Sequence, residues 1–143
     1  MKISEILTPD PECVKPETTL RRAAQKMKDL DVGMLPVCEN DRLVGTITDR
    51  DIVIRAVADG SDLSATKVRD AMTPELIYCF DDEDIVEAAL LMESKQVRRL
   101  PVINRDKRLV GIISIGDLAV RTHRERLVGE VLESISEPAE ADK

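Results

Sequence analysis

The sequence predicts an α/β (α+β) fold: two β-α-β-β-α motifs packed with pseudo-two-fold symmetry, followed by a C-terminal helix. Three observations carry that expectation. First, the chain says nearly the same thing twice. Ile3-Ser4-Glu5-Ile6-Leu7-Thr8-Pro9 returns as Val68-Arg69-Asp70-Ala71-Met72-Thr73-Pro74, Leu35-Pro36-Val37 as Leu100-Pro101-Val102, and Leu43-Val44-Gly45 as Leu109-Val110-Gly111. Two copies are too few for a solenoid, which stacks several units. They read as paired small motifs with a cleft between them, the kind of place where small ligands bind. Second, within each copy the hydrophobic period switches between that of a strand and that of a helix in the same order. Third, 43% of the residues are hydrophobic but only 1% aromatic, so the core is aliphatic.

In the first copy, Cys13-Val14-Lys15-Pro16 reads as short and extended, because Pro16 restrains its neighbour to β or polyproline geometry. Leu20, Ala23, Ala24, Met27 and Leu30 recur at helical spacing with Arg21, Arg22, Lys26 and Lys28 between them. Gly33 stands where a helix stop is expected. Met34 to Cys38 and Leu43 to Thr48 are two strands about an Asn40-Asp41 turn, and Asp49 to Ala58 is a second helix closed by Asp59-Gly60. The second copy repeats the order. Leu76 to Phe80 is the strand, and Ile85 to Ser94 the helix, with Ile85, Ala88, Ala89 and Met92 inward. Leu100 to Ile103 and Leu109 to Ser114 form the hairpin, and the last helix of the motif begins near Ile115. A one-residue difference in phase falls in the hairpin turn, where Cys38 to Asp41 faces the longer Ile103 to Lys107. Leu127, Val128, Val131, Leu132 and Ile135 then continue at roughly helical spacing, an amphipathic tail helix that packs on the body or on a second subunit. Glu137 to Lys143 is polar and expected to fray. The expected division is 1–61 for the first motif, 62–66 for a polar linker, 67–124 for the second motif and 125–143 for the tail.

A net charge of −7 argues against generic binding to nucleic acid or to anionic membranes, so a phosphate here needs a local basic patch. No apolar run reaches the length of a membrane span, and the first residues lack a signal peptide's apolar core, which points to the cytoplasm. Cys13, Cys38 and Cys79 form no CxxC pair and His123 is the sole histidine, so no metal site is expected.

The chemistry concentrates in Gly45-Thr46-Ile47-Thr48-Asp49-Arg50-Asp51 and its twin Gly111-Ile112-Ile113-Ser114-Ile115-Gly116-Asp117. Both sit where a strand hands over to a helix, whose start offers unpaired N–H groups and partial positive charge to a phosphate. Thr48 and Ser114 can each add a hydroxyl donor. Asp51 and Asp117, one turn later, can accept from both hydroxyls of a ribose. Thr48-x-x-Asp51 and Ser114-x-x-Asp117 read equally as helix caps. Duplication copies caps as well as sites, so both readings stay open.

The motif order, the Leu-Pro-Val strand, and Leu-Val-Gly followed by Thr/Ser-x-x-Asp resemble the cystathionine β-synthase (CBS) domain, and two in tandem resemble a Bateman module. The likeness spans about residues 1–124, and Leu43 to Arg55 is similar to small stand-alone bacterial CBS-pair proteins of the hypoxic-response type. The resemblance implies a pocket for an adenine nucleotide or adenosyl ligand between the repeats. Asp51 and Asp117 would hold ribose, Thr48 and Ser114 would approach phosphate, and Val14, Met34, Cys79 and Ile112 would flank the base, with Tyr78 either stacked on it or a half-buried strand residue. Arg98 and Arg99 match a position where many nucleotide-binding members carry His or Arg for phosphate. The copies differ there: Gly33-Met34 faces Arg98-Arg99, and Asp49-Arg50 faces Ile115-Gly116. Asp49 would repel a phosphate near Thr48, so unequal sites are expected. In such a fold Cys13 and Cys38 would be neighbours, which leaves a disulfide or redox switch open beside the reading of both as small core residues.

No nucleophile–base pair is visible, and no enzyme is expected. The reading is a non-catalytic regulatory module. It binds AMP, ADP, ATP or a ligand of the S-adenosylmethionine type without a required cofactor, and it signals through a homodimer or an effector protein. The alternative is a CBS-fold interaction or redox-responsive scaffold, using Cys13 and Cys38, without a nucleotide site. A sensor of metal or nucleic acid is disfavoured by the charge and the few His and Cys.

Overall fold

The structure, a computed structural model, describes residues 1–138; of the polar end expected to fray, 139–143 lie outside the described residues. A short 3-10 turn at Ile3–Glu5 precedes β1 (Thr8–Pro9), α1 (Leu20–Leu30), β2 (Met34–Glu39), β3 (Arg42–Thr48) and α2 (Asp49–Ile52), whose hydrogen bonding widens to π type over Val53–Val57. There follow α3 (Val68–Ala71), β4 (Cys79–Phe80), α4 (Ile85–Lys95), β5 (Arg99–Ile103), β6 (Leu109–Ser114), α5 (Ile115–Thr122) and α6 (Glu125–Ser136). The mixed α/β character and both copies of the motif are as the sequence predicts.

The chain packs as two compact units. The first is Glu12–Ile77; the second joins Met1–Pro11 to the chain from Tyr78 onward. Sequence repeats and packing units are therefore offset, because each repeat's leading segment lies in the unit built from the other repeat.

In the second unit a four-stranded sheet runs in the order β1-β6-β5-β4, with β4 parallel to β5 and the other pairs antiparallel. In the first unit β2 and β3 form the same antiparallel hairpin, and single bridges stand where the outer strands were: Val14 beside Val37, and Thr46 beside Thr73. The strand expected over Cys13 to Pro16 shrinks to the one residue Val14, since proline has no N–H to extend the ladder. The strand expected over Leu76 to Phe80 survives only as Cys79–Phe80, the residues that face Val102 and Ile103. Both hairpins carry a bulge at the same place, Val37/Cys38 and Val102/Ile103. The tight turn has Asn40 and Asp41 at φ 52° and 64°, the pair of left-handed residues that a two-residue hairpin of matching twist requires.

Thr19 caps α1 by accepting from the Arg22 N–H, and Asp84 caps α4 by accepting from the Val86 N–H. The helix stop of α1 is not Gly33, as the sequence suggests, but Asp31, left-handed at φ 55°; Gln96 ends α4 in the same way at φ 54°. Gly33 has a different role: a Cβ there would sit 3.0 Å from Asp49 Oδ2. Leu20, Ala23 and Met27 of α1 are buried, whereas Leu30, expected inward, is 41% exposed because it lies at the last turn. Ile85, Ala88, Ala89 and Met92 are all fully buried, as their spacing predicts. The tail helix α6 packs on α4 and α5 through Val131. The first unit's core is wholly aliphatic, with Leu20, Leu35, Val37, Ile47, Val68 and Ala71 at its centre.

Gly45 and Gly111 occupy equivalent positions and serve one purpose. A Cβ on Gly45 would meet the Thr73 carbonyl oxygen at 2.6 Å, and one on Gly111 the Thr8 carbonyl oxygen at 2.7 Å. Both glycines thus let a leading segment lie directly on the hairpin. Gly45→Ala and Gly111→Ala should each lower stability by roughly 1–3 kcal/mol in urea denaturation, as overpacking against backbone does. Gly129→Ala, where a Cβ meets nothing within 4 Å, should not.

Candidate functional site

The two helix starts after β3 and β6 are built alike, and each is a reciprocal cap. Thr48, in extended geometry, accepts the Asp51 N–H on Oγ1 at 3.0 Å, and Asp51 Oδ2 accepts the Thr48 N–H at 3.0 Å. Ser114 accepts the Asp117 N–H at 3.0 Å, and Asp117 Oδ2 accepts the Ser114 N–H at 2.9 Å. Capping is therefore real in both copies. It occupies Oδ2 only. Oδ1 of Asp117 is approached by the Thr8 hydroxyl at 3.4 Å and by Arg121 Nε at 3.8 Å, and Oδ1 of Asp51 by Arg55 Nε at 4.0 Å. The carboxyl side chains are only 13% and 12% exposed, so each presents one oriented oxygen. An acceptor fixed at this point suits a ligand hydroxyl.

Hairpin register brings the remaining residues alongside. Met34 pairs across the ladder with Thr48, and Arg99 with Ser114. The Asp49 N–H donates to the Gly33 carbonyl and the Ile115 N–H to the Arg98 carbonyl, both at 2.9 Å. Ile112 lies two residues before Ser114 on β6, hence on the same face. The copies differ in charge as their sequences do. Asp49 lies over Gly33 in the first unit, its Oδ1 accepting the Arg50 N–H at 2.8 Å. In the second unit Arg98 and Arg99 are exposed, and neither makes an ion pair among the described residues.

Val14 and Cys79 are 5% and 3% exposed, core residues of their units. Tyr78 stacks edge-on against Phe80, ring centroids 5.5 Å apart, while Arg105 sits 3.9 Å over the Phe80 ring and forks onto Asp82. Tyr78 also lines a groove of about 670 Å³ with Glu83, Glu87 and Leu90, which neither Ser114 nor Asp117 borders. Its carboxylates suit no phosphate.

All three cysteines are free thiols. The structure does bring Cys13 to Cys38: the exposed Cys13 thiol is a hydrogen-bond neighbour of the buried Cys38, whose pKa is raised by burial first and by Cys13 second. Burial, then Glu83, pushes the Cys79 thiol up to about 12. Among the described residues no group of three or more His, Cys, Asp or Glu stands where a metal ion could be shared, and no helix is long and apolar enough to cross a membrane.

These features define a tandem α/β module with one capped carboxylate in each repeat. The chain belongs to the CBS domain family, whose profile matches residues 3–57 and 68–123. It is 37% identical over 134 residues to the CBS domain-containing protein YhcV of Bacillus subtilis, covering 94% of both chains. It is 38% identical to hypoxic response protein 1 of Mycobacterium tuberculosis, covering 94% of this chain and 93% of that one. A crystal structure of Hypoxic Response Protein I with two coordinated zinc ions superposes with a TM-score of 0.79 over 85% of this chain and 98% of its own. One of CBSX2 in complex with AMP, 27% identical, does so at 0.75 over 87% and 98%.

Sequence reasoning overlooked Thr8, Arg55 and Arg121. The signal was there: an arginine follows the aspartate by four residues in both copies, and Thr8-Pro9 is part of the repeated leading segment.

Thiol burial gives a pH dependence. Because the folded pKa of Cys79 lies above its unfolded value near 9, the folded state keeps a proton that the unfolded state releases. That stabilisation is complete below pH 9 and is lost as pH rises towards 12. Urea midpoints measured from pH 8 to 11 should fall steadily above 9, and less so in Cys79→Ala.

Proposed function

We propose that the chain is a non-catalytic, cytoplasmic regulatory module. It binds an adenosine-containing ligand through the vicinal hydroxyls of its ribose and relays the bound state to a second copy or to an effector protein. The observation that carries this reading is Oδ1 of each capped aspartate, which the cap does not use and which sits on a mostly enclosed carboxyl beside Arg55 or Arg121, in a chain whose relative CBSX2 was crystallised with AMP. Thr48 and Ser114 each accept a backbone N–H in the caps and keep the hydroxyl proton to donate to phosphate, joined in the second repeat by Arg98 and Arg99, which make no ion pair among the described residues. The first repeat, with Asp49 beside Thr48, favours a ligand with little phosphate charge. Met34 and Ile112 flank the two acceptors on their strands, and Val53, Ile54 and Val57, each more than half exposed, offer an apolar helical face to a second copy.

Calorimetry with AMP, ADP, ATP and S-adenosylmethionine tests the reading. Asp117→Asn keeps an acceptor for the Ser114 N–H while removing the charge. It should weaken AMP roughly 10- to 100-fold, the worth of hydrogen bonds to an ionised group, and Asp51→Asn should weaken it less. Unchanged affinity in both variants would leave the aspartates as caps alone.

A second reading is favoured by the adjacent Cys13 and Cys38 thiols: a redox-responsive scaffold. Two thiols would give up two protons and two electrons to an added oxidant such as diamide, forming one disulfide. A mobility change on non-reducing gels with diamide, absent in Cys38→Ser, would support it. No change in the native protein would exclude it.

A further inference from the structure

In each repeat one arginine holds two things at once. Arg121 Nη1 donates to the carbonyls of Ile6 and Leu7, both at 3.2 Å, while its Nε faces Asp117 Oδ1 at 3.8 Å. Arg55 Nη1 donates to the carbonyls of Ala71 and Met72, both at 3.1 Å, while its Nε faces Asp51 Oδ1 at 4.0 Å. The four carbonyls lie within the repeated leading segments, after which the chain passes from one unit into the other: Pro11 to Glu12 after the first, Ile77 to Tyr78 after the second. The same geometry thus occurs twice, on opposite crossings. In the second unit the Thr8 hydroxyl of the leading segment also reaches Asp117 Oδ1, at 3.4 Å.

We propose that Arg55 and Arg121 are positioning residues that couple the occupancy of each candidate carboxylate to the leading segment lying on it. The coupling to a nucleotide rests on the function proposed above; the tie itself does not. An Nε–Oδ1 separation of 3.8–4.0 Å is beyond a good hydrogen bond, yet it is well within Coulombic reach. Both arginine side chains are about half exposed, 47% and 48%, so the carbonyl contacts compete with water and the nearby carboxylate charge biases the guanidinium towards them. A diol that donates to Oδ1 draws charge from that contact and displaces Thr8. The arginine then relaxes towards solvent and the two carbonyls lose their donor. Each site reports in this way on the segment that leads to the other unit.

Carbonyl carbon resonances measured by NMR on the whole chain read the donor directly. In the unliganded protein, Asp117→Asn should move the Ile6 and Leu7 carbonyls upfield and leave Ala71 and Met72 in place; Asp51→Asn should do the reverse. In an Arg121→Gln background the Asp117→Asn shift at Ile6 and Leu7 should vanish, which a general loosening of the cap would not produce. AMP titrated into the native protein should move the Ile6 and Leu7 carbonyls in the same direction as Asp117→Asn. Unmoved carbonyls in both aspartate variants, or a shift that persists in Arg121→Gln, overturns the coupling. Shifts that follow the aspartate variants but ignore AMP establish the tie and overturn the nucleotide reading instead.

Discussion

A helix that begins where a strand ends leaves backbone N–H groups without partners, and in both repeats one hydroxyl and one carboxylate settle that deficit between them. Thr48 with Asp51, and Ser114 with Asp117, bind each other's backbone N–H within 3.0 Å. Much else depends on this exchange. It fixes the angle at which the helix leaves the hairpin, and so seats Ile52 and Leu118 in their cores. It also immobilises the aspartate, so that the oxygen not used for capping points in one direction. Capping uses only one oxygen of each carboxylate, so the cap does not exclude the proposed ligand acceptor on the other.

A second constraint is the close approach of the leading segments. Thr8 and Thr73 lie on their hairpins with carbonyl oxygens where a side chain at Gly111 or Gly45 would be. That contact lays the other repeat's leading segment on each hairpin, as β1 in the second unit and as the single Thr46–Thr73 bridge in the first, and carbonyls of the segment come within reach of the arginine one turn past the cap. The copies also diverge in charge beside the caps. Gly33 and Asp49 are neighbours, since a Cβ at 33 would press on the Asp49 carboxylate at 3.0 Å; Arg98 and Ile115 stand in their places in the second copy. One duplicated scaffold therefore presents one acidic and one basic rim.

Much of this is legible in the sequence, for physical reasons. The Asn40-Asp41 turn and the Thr/Ser-x-x-Asp caps are local chemistry, and local chemistry is written in adjacent residues. So are the buried faces of α1 and α4, apart from Leu30 at the fraying end. What escapes is non-local. Similarity aligns Ile3-to-Pro9 with Val68-to-Pro74 but does not say which hairpin each segment lies on. Gly33 looks like a helix stop until Asp49, distant in sequence, is seen above it. Arg55 and Arg121 look like ordinary i,i+4 partners of an aspartate, because their second contact, to carbonyls of a remote segment, leaves no pattern. Cys79 falls on the strand expected there, while Tyr78 precedes it, and both border a carboxylate-lined groove that no spacing reveals.

The central claim proposed is that the oxygen of each capped aspartate not used by the cap accepts from a vicinal diol. It is tested most directly by comparing AMP with 2′,3′-dideoxy-AMP on the native protein by equilibrium binding, with adenine, phosphate and all protein residues unchanged. The account predicts at least a tenfold loss of affinity for the analogue, because a site built to pair with a hydroxyl is left with an unpaired acceptor. Equal affinity for the two, or binding of neither, would contradict it.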